Sequence, residues 1–231
     1  MSTPEGRRYG GADADERRDR RRLDLIAAGL DLFGSDGYAS ASVKRVCEHA
    51  GLTQRYFYES FADRPALLAA VYEDCVEFAR VATVDAAAGF VADGGGVGAV
   101  GVSSPDAPAV ARAALTAFVR CLADDARRAR VMLVEVVGVN PDLERLRLNA
   151  IHEWADLILT FALGEETADR TQRLAAIGLV GALTQLLVDW YTSANGEFAA
   201  PADAGPDLFD LDAILDVSVE LFVAAYESLL G

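Results

Sequence analysis

SVKRVCEHAGLTQRYFYESF, residues 42–61, decides the fold. Ser42 can accept a hydrogen bond from the first amides of a helix, and Val43, Val46, Cys47 and Ala50 follow on one face at helical spacing. Gly51 ends that helix, Thr53 is expected to cap a second, and Phe61 closes it. Two short helices joined by AGLT have the spacing of a helix-turn-helix, in which the second helix turns its N-terminal residues toward base edges in the major groove. Tyr56, Phe57, Tyr58 and Phe61 point around a whole helix, so they cannot all be core. Phe57 and Phe61, four apart, are expected inside with Val46 and Leu52; Gln54, Arg55, Tyr56, Tyr58 and Glu59 are then left outward or sideways. Arg55 can donate two bonds to guanine and Gln54 can pair similarly with adenine, while tyrosine hydroxyls can bond phosphate without adding charge. Ser42, Lys44 and Thr53, at the starts of the two helices, join them as candidate DNA contacts.

Helical patterning extends on both sides. Leu23, Ile26, Ala27, Leu30 and Phe33 predict an amphipathic first helix from Arg17 that Ser35-Asp36-Gly37 stops, with residues 1–16 as a flexible tail. Asp63 is expected to cap a long fourth helix that tolerates Pro65 in its first turn and runs to about Gly89. Residues 92–108, rich in Gly, Ser and Pro, read as a loop between helices. A fifth helix follows over 108–125 and a sixth that Gly138 ends. Asn140-Pro141 with Asp142 and Glu144 opens a seventh to about Leu163, and Thr167 is expected to cap an eighth to about Ser193. LDAILDVSVELFVAAYESLL makes a ninth. No run alternates like a strand, so the fold class is all-α, with a flexible tail (1–16), a helix-turn-helix domain (17–64) and a larger helical domain (65–231).

Charge is divided unevenly. Formal net charge is -15, yet residues 1–64 hold 11 basic and 11 acidic residues, and the remaining 167 carry 10 basic and 25 acidic. A polyanion is therefore expected to touch only the N-terminal quarter. Arg17, Arg18, Arg20, Arg21 and Arg22 form the largest basic cluster, and Arg21 is taken as a phosphate or minor-groove contact. Cys47, Cys75 and Cys121 are odd in number and widely spaced, as expected for buried thiols in a reducing cytoplasm. The N-terminus lacks a signal-peptide pattern, and the longest apolar run, VMLVEVVGV (131–139), is too short to span a bilayer and contains Glu135.

The run from Leu23 to Glu73 resembles the DNA-binding domain of the TetR family of bacterial regulators. The features that carry the resemblance are a first helix ending in Leu32-Phe33, Gly37-Tyr38, Ser42-Val43, Ala50-Gly51-Leu52, Tyr58 with Phe61, and Leu67-Leu68. Ala41, Gly29 and Ser60 depart from the residues common in the family. The resemblance implies that the third helix reads DNA, that Arg64 at the start of the fourth binds phosphate, and that the C-terminal helices form an effector cavity and a homodimer. It thereby implies a ligand-responsive regulator, a repressor by preference, on double-stranded operator DNA.

No motif carries over to the C-terminal part. There, Ala175, Gly178 and Ala182 make a small-residue face that suits close helix approach across a dimer or within one chain, with Leu221 and Phe222 of the last helix beside them as interface candidates. Phe118, Met132, Trp154, Phe161, Gln185, Trp190 and Tyr191 are cavity candidates. Glu135 needs a partner if buried, either a polar ligand group or an arginine or helix terminus. An apolar cavity with a few polar groups suits a hydrophobic or amphipathic effector. GVGAVG (96–101) matches GxGxxG in letters but follows no strand, and no cofactor is expected. His49 and Cys47 face different sides of a helix, so no metal site is expected, and no nucleophile–base set is visible. The competing reading is a small-molecule carrier or helical enzyme without DNA binding.

Overall fold

The computed structural model describes residues 9–93, 107–164, 166–196 and 208–230. These residues form nine α-helices and no strand. Helix α1 spans Tyr9–Asp36, α2 Val43–His49, α3 Gln54–Ser60, α4 Arg64–Asp93 and α5 Ala107–Ala123. Helix α6 covers Ala126–Arg130 and runs on into a π-helical turn, Val131–Glu135. Helix α7 is Pro141–Leu163, α8 Arg170–Ala194 and α9 Leu211–Ala225, which ends in a second π-helical turn, Tyr226–Leu230.

Several boundaries follow from caps. Ser42 Oγ accepts from Arg45 N at 3.2 Å, Asp63 Oδ1 from Ala66 N at 2.8 Å, and Asn140 Oδ1 from Leu143 N at 2.8 Å. Two of the expected caps need correction. Thr53 occupies the N-cap of α3 but its side chain makes no capping bond. Helix α8 is capped by Asp169 instead of Thr167, because Asp169 and Gln172 form a reciprocal capping box at 2.8 and 2.9 Å. Helix α1 begins at Tyr9, eight residues before Arg17, and Asp15 pairs with Arg18 along it at 3.3 Å. Its buried face also differs from the expected one. Leu25, Ile26, Ala28, Leu30, Leu32 and Phe33 are buried, while Leu23 and Ala27 are exposed. The GVGAVG run and most of the 92–108 loop lie outside the described residues.

One apolar cluster joins α1, α2, α3 and the start of α4 to Val131 and Val136 after α6 and to Leu143 and Ala150 of α7. The helix-turn-helix therefore shares its core with the larger body. A second cluster packs α5, α6, α8 and α9, and a third fills the far end between α7, α8 and Leu230. Helix α8 is long and apolar enough to cross a bilayer by length and composition, yet only 17% of its most apolar window is buried within the chain.

Close helix contact at α1 and α6 depends on Gly34. A Cβ there would lie 2.6 Å from Arg127 Cα and 2.8 Å from its carbonyl oxygen, both backbone atoms that cannot swing aside. Gly34→Ala is therefore expected to cost about 1–3 kcal/mol of stability. Gly29→Ala should cost less, because its Cβ would meet side-chain atoms of Val71 and Leu67. Urea denaturation of the two variants side by side checks the order.

Candidate nucleic-acid interface and effector cavity

Helix α3 is anchored from below. Phe57 is fully buried and Phe61 nearly so, their ring centroids 5.8 Å apart, and both belong to the core that holds α1 and α4. Gly51 at φ 66° makes the turn from α2. With that face fixed, Thr53, Gln54, Arg55 and Tyr58 are exposed on the opposite side. Arg55 Nε donates to Glu59 Oε1 at 3.0 Å, one turn along the same helix, and Lys44 lies 3.6 Å from Glu48 on α2. Ser42 and Lys44 are exposed at the start of α2.

Tyr56 is half-buried beneath Arg21, whose guanidinium carbon lies 4.2 Å from the ring centroid and which also approaches Glu59 at 4.0 Å. Arg22 covers Phe61 in the same way at 4.5 Å. Two of the N-terminal arginines thus lean across α3 and place positive charge at its flank. Arg64 is more occupied than its expected phosphate role required. Its Nη1 donates to Ala41 O at 2.8 Å and its guanidinium stacks 4.1 Å over Tyr38, so it also braces the segment between α1 and α2.

Behind this head lies a cavity of about 650 Å³ walled by α4, α5, the π-helical turn after α6, α7, α8 and α9. Phe118, Met132, Trp154, Phe161 and Gln185 line it, with Phe118 and Trp154 edge to face at 4.8 Å. Three of the cavity candidates do not. Tyr191 is buried in the cluster with Val119, Leu122 and Ile214, and Trp190 packs against that cluster. Glu135 turns away from the cavity altogether. Its Oε2 accepts from Tyr38 N at 2.8 Å and its Oε1 from Arg130 Nε at 2.7 Å, while Arg130 Nη1 reaches Ser35 O at 2.8 Å. Of the two partners open to Glu135, an arginine is the one found.

The interface candidates also separate. Gly178 is exposed, with nothing within 4 Å of an added Cβ, and Leu221 is exposed at the cavity rim. Ala182 and Phe222 belong to the cavity wall, and Ala175 packs into the far-end cluster. The outward face of α8 is instead Leu174, Gly178 and Gly181. The small-residue stripe was displaced because Ala175 and Ala182 sit about 100° around the helix from Leu174 and Gly181.

Residues that the sequence did not single out complete the cavity: Tyr72, Arg147 and Ser218. Burial pushes the Tyr72 phenol up to about 12, with nearby Arg147 pulling weakly the other way, so it stays a neutral hydroxyl. All three cysteines are buried and unpaired. Desolvation raises each thiol, Cys75 to about 12, which leaves little thiolate for redox chemistry. His49 Nε2 is hydrogen-bonded to Asp31 at 2.9 Å, and no group of three or more metal-ligating side chains occurs among the described residues.

A three-helix head with an exposed reading helix, fused through a shared core to a cavity-bearing helical body, defines the class: a one-component DNA-binding regulator fold. Residues 25–71 match the family described as "Bacterial regulatory proteins, tetR family". No curated protein matches the sequence. Among solved structures, the chain is similar to the fatty acid degradation regulator FadR of Bacillus halodurans, with TM-score 0.61, 16% identity and coverage of 90% of this chain and 96% of that one. FadR of Bacillus subtilis in complex with stearoyl-CoA also gives 0.61 and 16%, covering 87% and 97%. A TetR/AcrR-family transcriptional regulator of Thermobifida fusca gives 0.55 and 19%, covering 90% and 98%. At these identities the likeness is one of fold.

Proposed function

We propose that the protein is a ligand-responsive transcriptional repressor that binds a pseudo-palindromic operator as a homodimer and is released by a small hydrophobic or amphipathic effector. Residues 17–64 would form the DNA-binding domain and 65–231 the effector and dimerisation domain, working in the cytoplasm without a membrane or catalytic role. One observation carries the reading. The π-helical turn Val131–Glu135 presents Met132, Leu133 and Val134 to the cavity, while Glu135 on the same turn holds the backbone of Tyr38 in the head. A ligand that displaces the turn therefore shifts the support of α1 and α2. For 50-fold release the effector must prefer the non-binding state by about 2–3 kcal/mol. The stearoyl-CoA held by a protein of the same fold supports an amphipathic effector. The poorly buried α8, with Val217 and Leu221 exposed on α9, supports a second copy as the cover for that face.

Fluorescence anisotropy against duplexes tiled across the DNA flanking the gene, at two salt concentrations, tests the proposal. One duplex bound far more tightly than the rest supports it; uptake of apolar ligands with no DNA affinity would favour a carrier. On the preferred duplex, Arg55→Ala is expected to cost roughly 1–3 kcal/mol and relax base preference, because it removes a base-edge donor. Arg64→Ala should weaken operator and random DNA alike and also lower stability, since Ala41 O and Tyr38 lose their partner. Equal losses on both DNAs for both variants would contradict that division.

A further inference from the structure

Several polar groups in the cavity wall are already paired. Thr83 Oγ1 donates to Ala79 O and Thr184 Oγ1 to Val180 O, each at 2.7 Å and one turn back, and Gln185 Nε2 donates to Asp189 Oδ1 at 2.8 Å. Two neighbouring donors differ. Arg147 directs Nε and Nη2 to one oxygen, Glu144 Oε2, at 3.2 and 3.1 Å, and its Nη1 has no acceptor among the described residues. The Tyr72 hydroxyl has none either. Among the described residues, the side-chain polar atoms that lack both a partner and any open surface are Arg128 Nη1 and Ser218 Oγ, so Arg147 Nη1 and the Tyr72 oxygen both stay reachable. Arg147 also stands near enough for its charge to bear on the Tyr72 phenol, which burial keeps protonated.

Charge makes the pair selective. Among the described residues Arg147 is the one charged residue of the lining, and no carboxylate stands in the wall with it. A guanidinium offers its N–H donors in a planar fork, so the edge turned to Glu144 leaves Nη1 for a second oxygen. Glu144 is itself held, because its Oε1 accepts from Gly138 N at 2.6 Å, and the guanidinium is thereby fixed in place before a ligand arrives. An acceptor that meets Arg147 and Tyr72 in these mainly apolar surroundings faces weaker competition from water than it would on an open surface. Tyr72 and Ala150, the latter one turn along α7 from Arg147, belong to the core shared with the helix-turn-helix, so the two donors stand in the wall next to the head.

We propose that Arg147 and Tyr72 form an acid-binding subsite of the cavity, and that the effector is an amphipathic acid whose carboxylate accepts from Arg147 Nη1 and the Tyr72 hydroxyl while its apolar body lies against Phe118, Met132 and Trp154. This rests on the cavity being the effector site. Discrimination follows from the charge. An ester of the same body keeps an acceptor but loses the charge-assisted bond, and an amine sets a cation against the guanidinium.

The test uses the full chain, the uncharged fluorophore Nile red bound in the cavity, and its displacement by dodecanoate, methyl dodecanoate and dodecylamine in mildly alkaline buffer. Dodecanoate is expected to bind about tenfold more tightly than its methyl ester, the low end for a charged hydrogen bond because Glu144 shares the guanidinium, and dodecylamine more weakly than either. The ratio of acid to ester affinity is the readout, since a merely structural loss would lower both alike. Arg147→Gln should bring that ratio to about one, and Tyr72→Phe, which removes only the hydroxyl, should lower it about fivefold. Equal affinity for acid and ester, a preference for the amine, or an acid preference that survives both variants would overturn the proposal and leave the effector site standing. Nile red that is not taken up, or that none of the three compounds displaces, would overturn both.

Discussion

Glu135→Ala is expected to lower the free energy of unfolding by about 3 kcal/mol and to loosen the head from the body. The carboxylate is 13% exposed and accepts from Arg130 Nε and Tyr38 N, so the substitution takes the acceptor from a backbone amide and one of its acceptors from a guanidinium that keeps Ser35 O. Breaking a buried ion pair from one side costs about 3–5 kcal/mol, and the 27% exposure of Arg130 brings the expectation to the low end. Glu135→Gln keeps an oxygen for Tyr38 N and should lose about 1 kcal/mol, the margin between a charged and a neutral acceptor. Urea denaturation gives both values. A Glu135→Ala midpoint equal to that of the unaltered protein would mean that the clamp carries no load. The functional consequence is separate: with the clamp gone, cavity ligands should change operator affinity less than in the parent, because the turn no longer grips Tyr38.

The clamp also shows where sequence reasoning stops. In an α-helix, residues five apart lie about 140° around the axis, so Arg130 and Glu135 would not meet. The π-helical turn lowers that angle and brings them together, and no residue in ARRARVMLVE announces it. Elements set by local chemistry were legible. Ser42, Asp63 and Asn140 read as caps because each precedes an apolar periodic run, and Phe57 and Phe61 read as the inner face of α3 from their spacing alone. Thr167 was misread for Asp169 because two acceptors stand two residues apart, and only Gln172 at the third helical position distinguishes them. Cavity residues were legible by type and not by direction. Phe118 and Trp190 are both large aromatics on late helices, yet packing sends one to the cavity and the other to a cluster beside it. Ser218 left a trace that could have been followed, a lone hydroxyl on the apolar face that Ile214, Leu221 and Phe222 mark on α9.

Gly178→Glu is expected to leave the fold intact, convert the proposed dimer to a monomer and lower affinity for the proposed operator at least 100-fold. Within one chain the substitution is harmless. An added Cβ at Gly178 meets nothing within 4 Å, and replacing a mid-helix glycine gains up to about 1 kcal/mol of helix propensity. Far-UV circular dichroism should therefore be unchanged. The cost arises only if a second copy covers α8, the arrangement proposed from its apolar window and the exposed Leu174, Val217 and Leu221. In a two-fold interface each carboxylate would be buried without a partner, and each would face its symmetry mate. Loss of the dimer separates the two heads, and two half-sites bound independently forfeit the roughly 10²–10⁴-fold gain of linked binding. Sedimentation velocity and anisotropy on the same preparation read the two effects together. A variant that stays dimeric with full affinity would place the interface elsewhere. One that becomes monomeric yet binds the operator normally would show that a single head suffices, and would remove the reason for a pseudo-palindromic site.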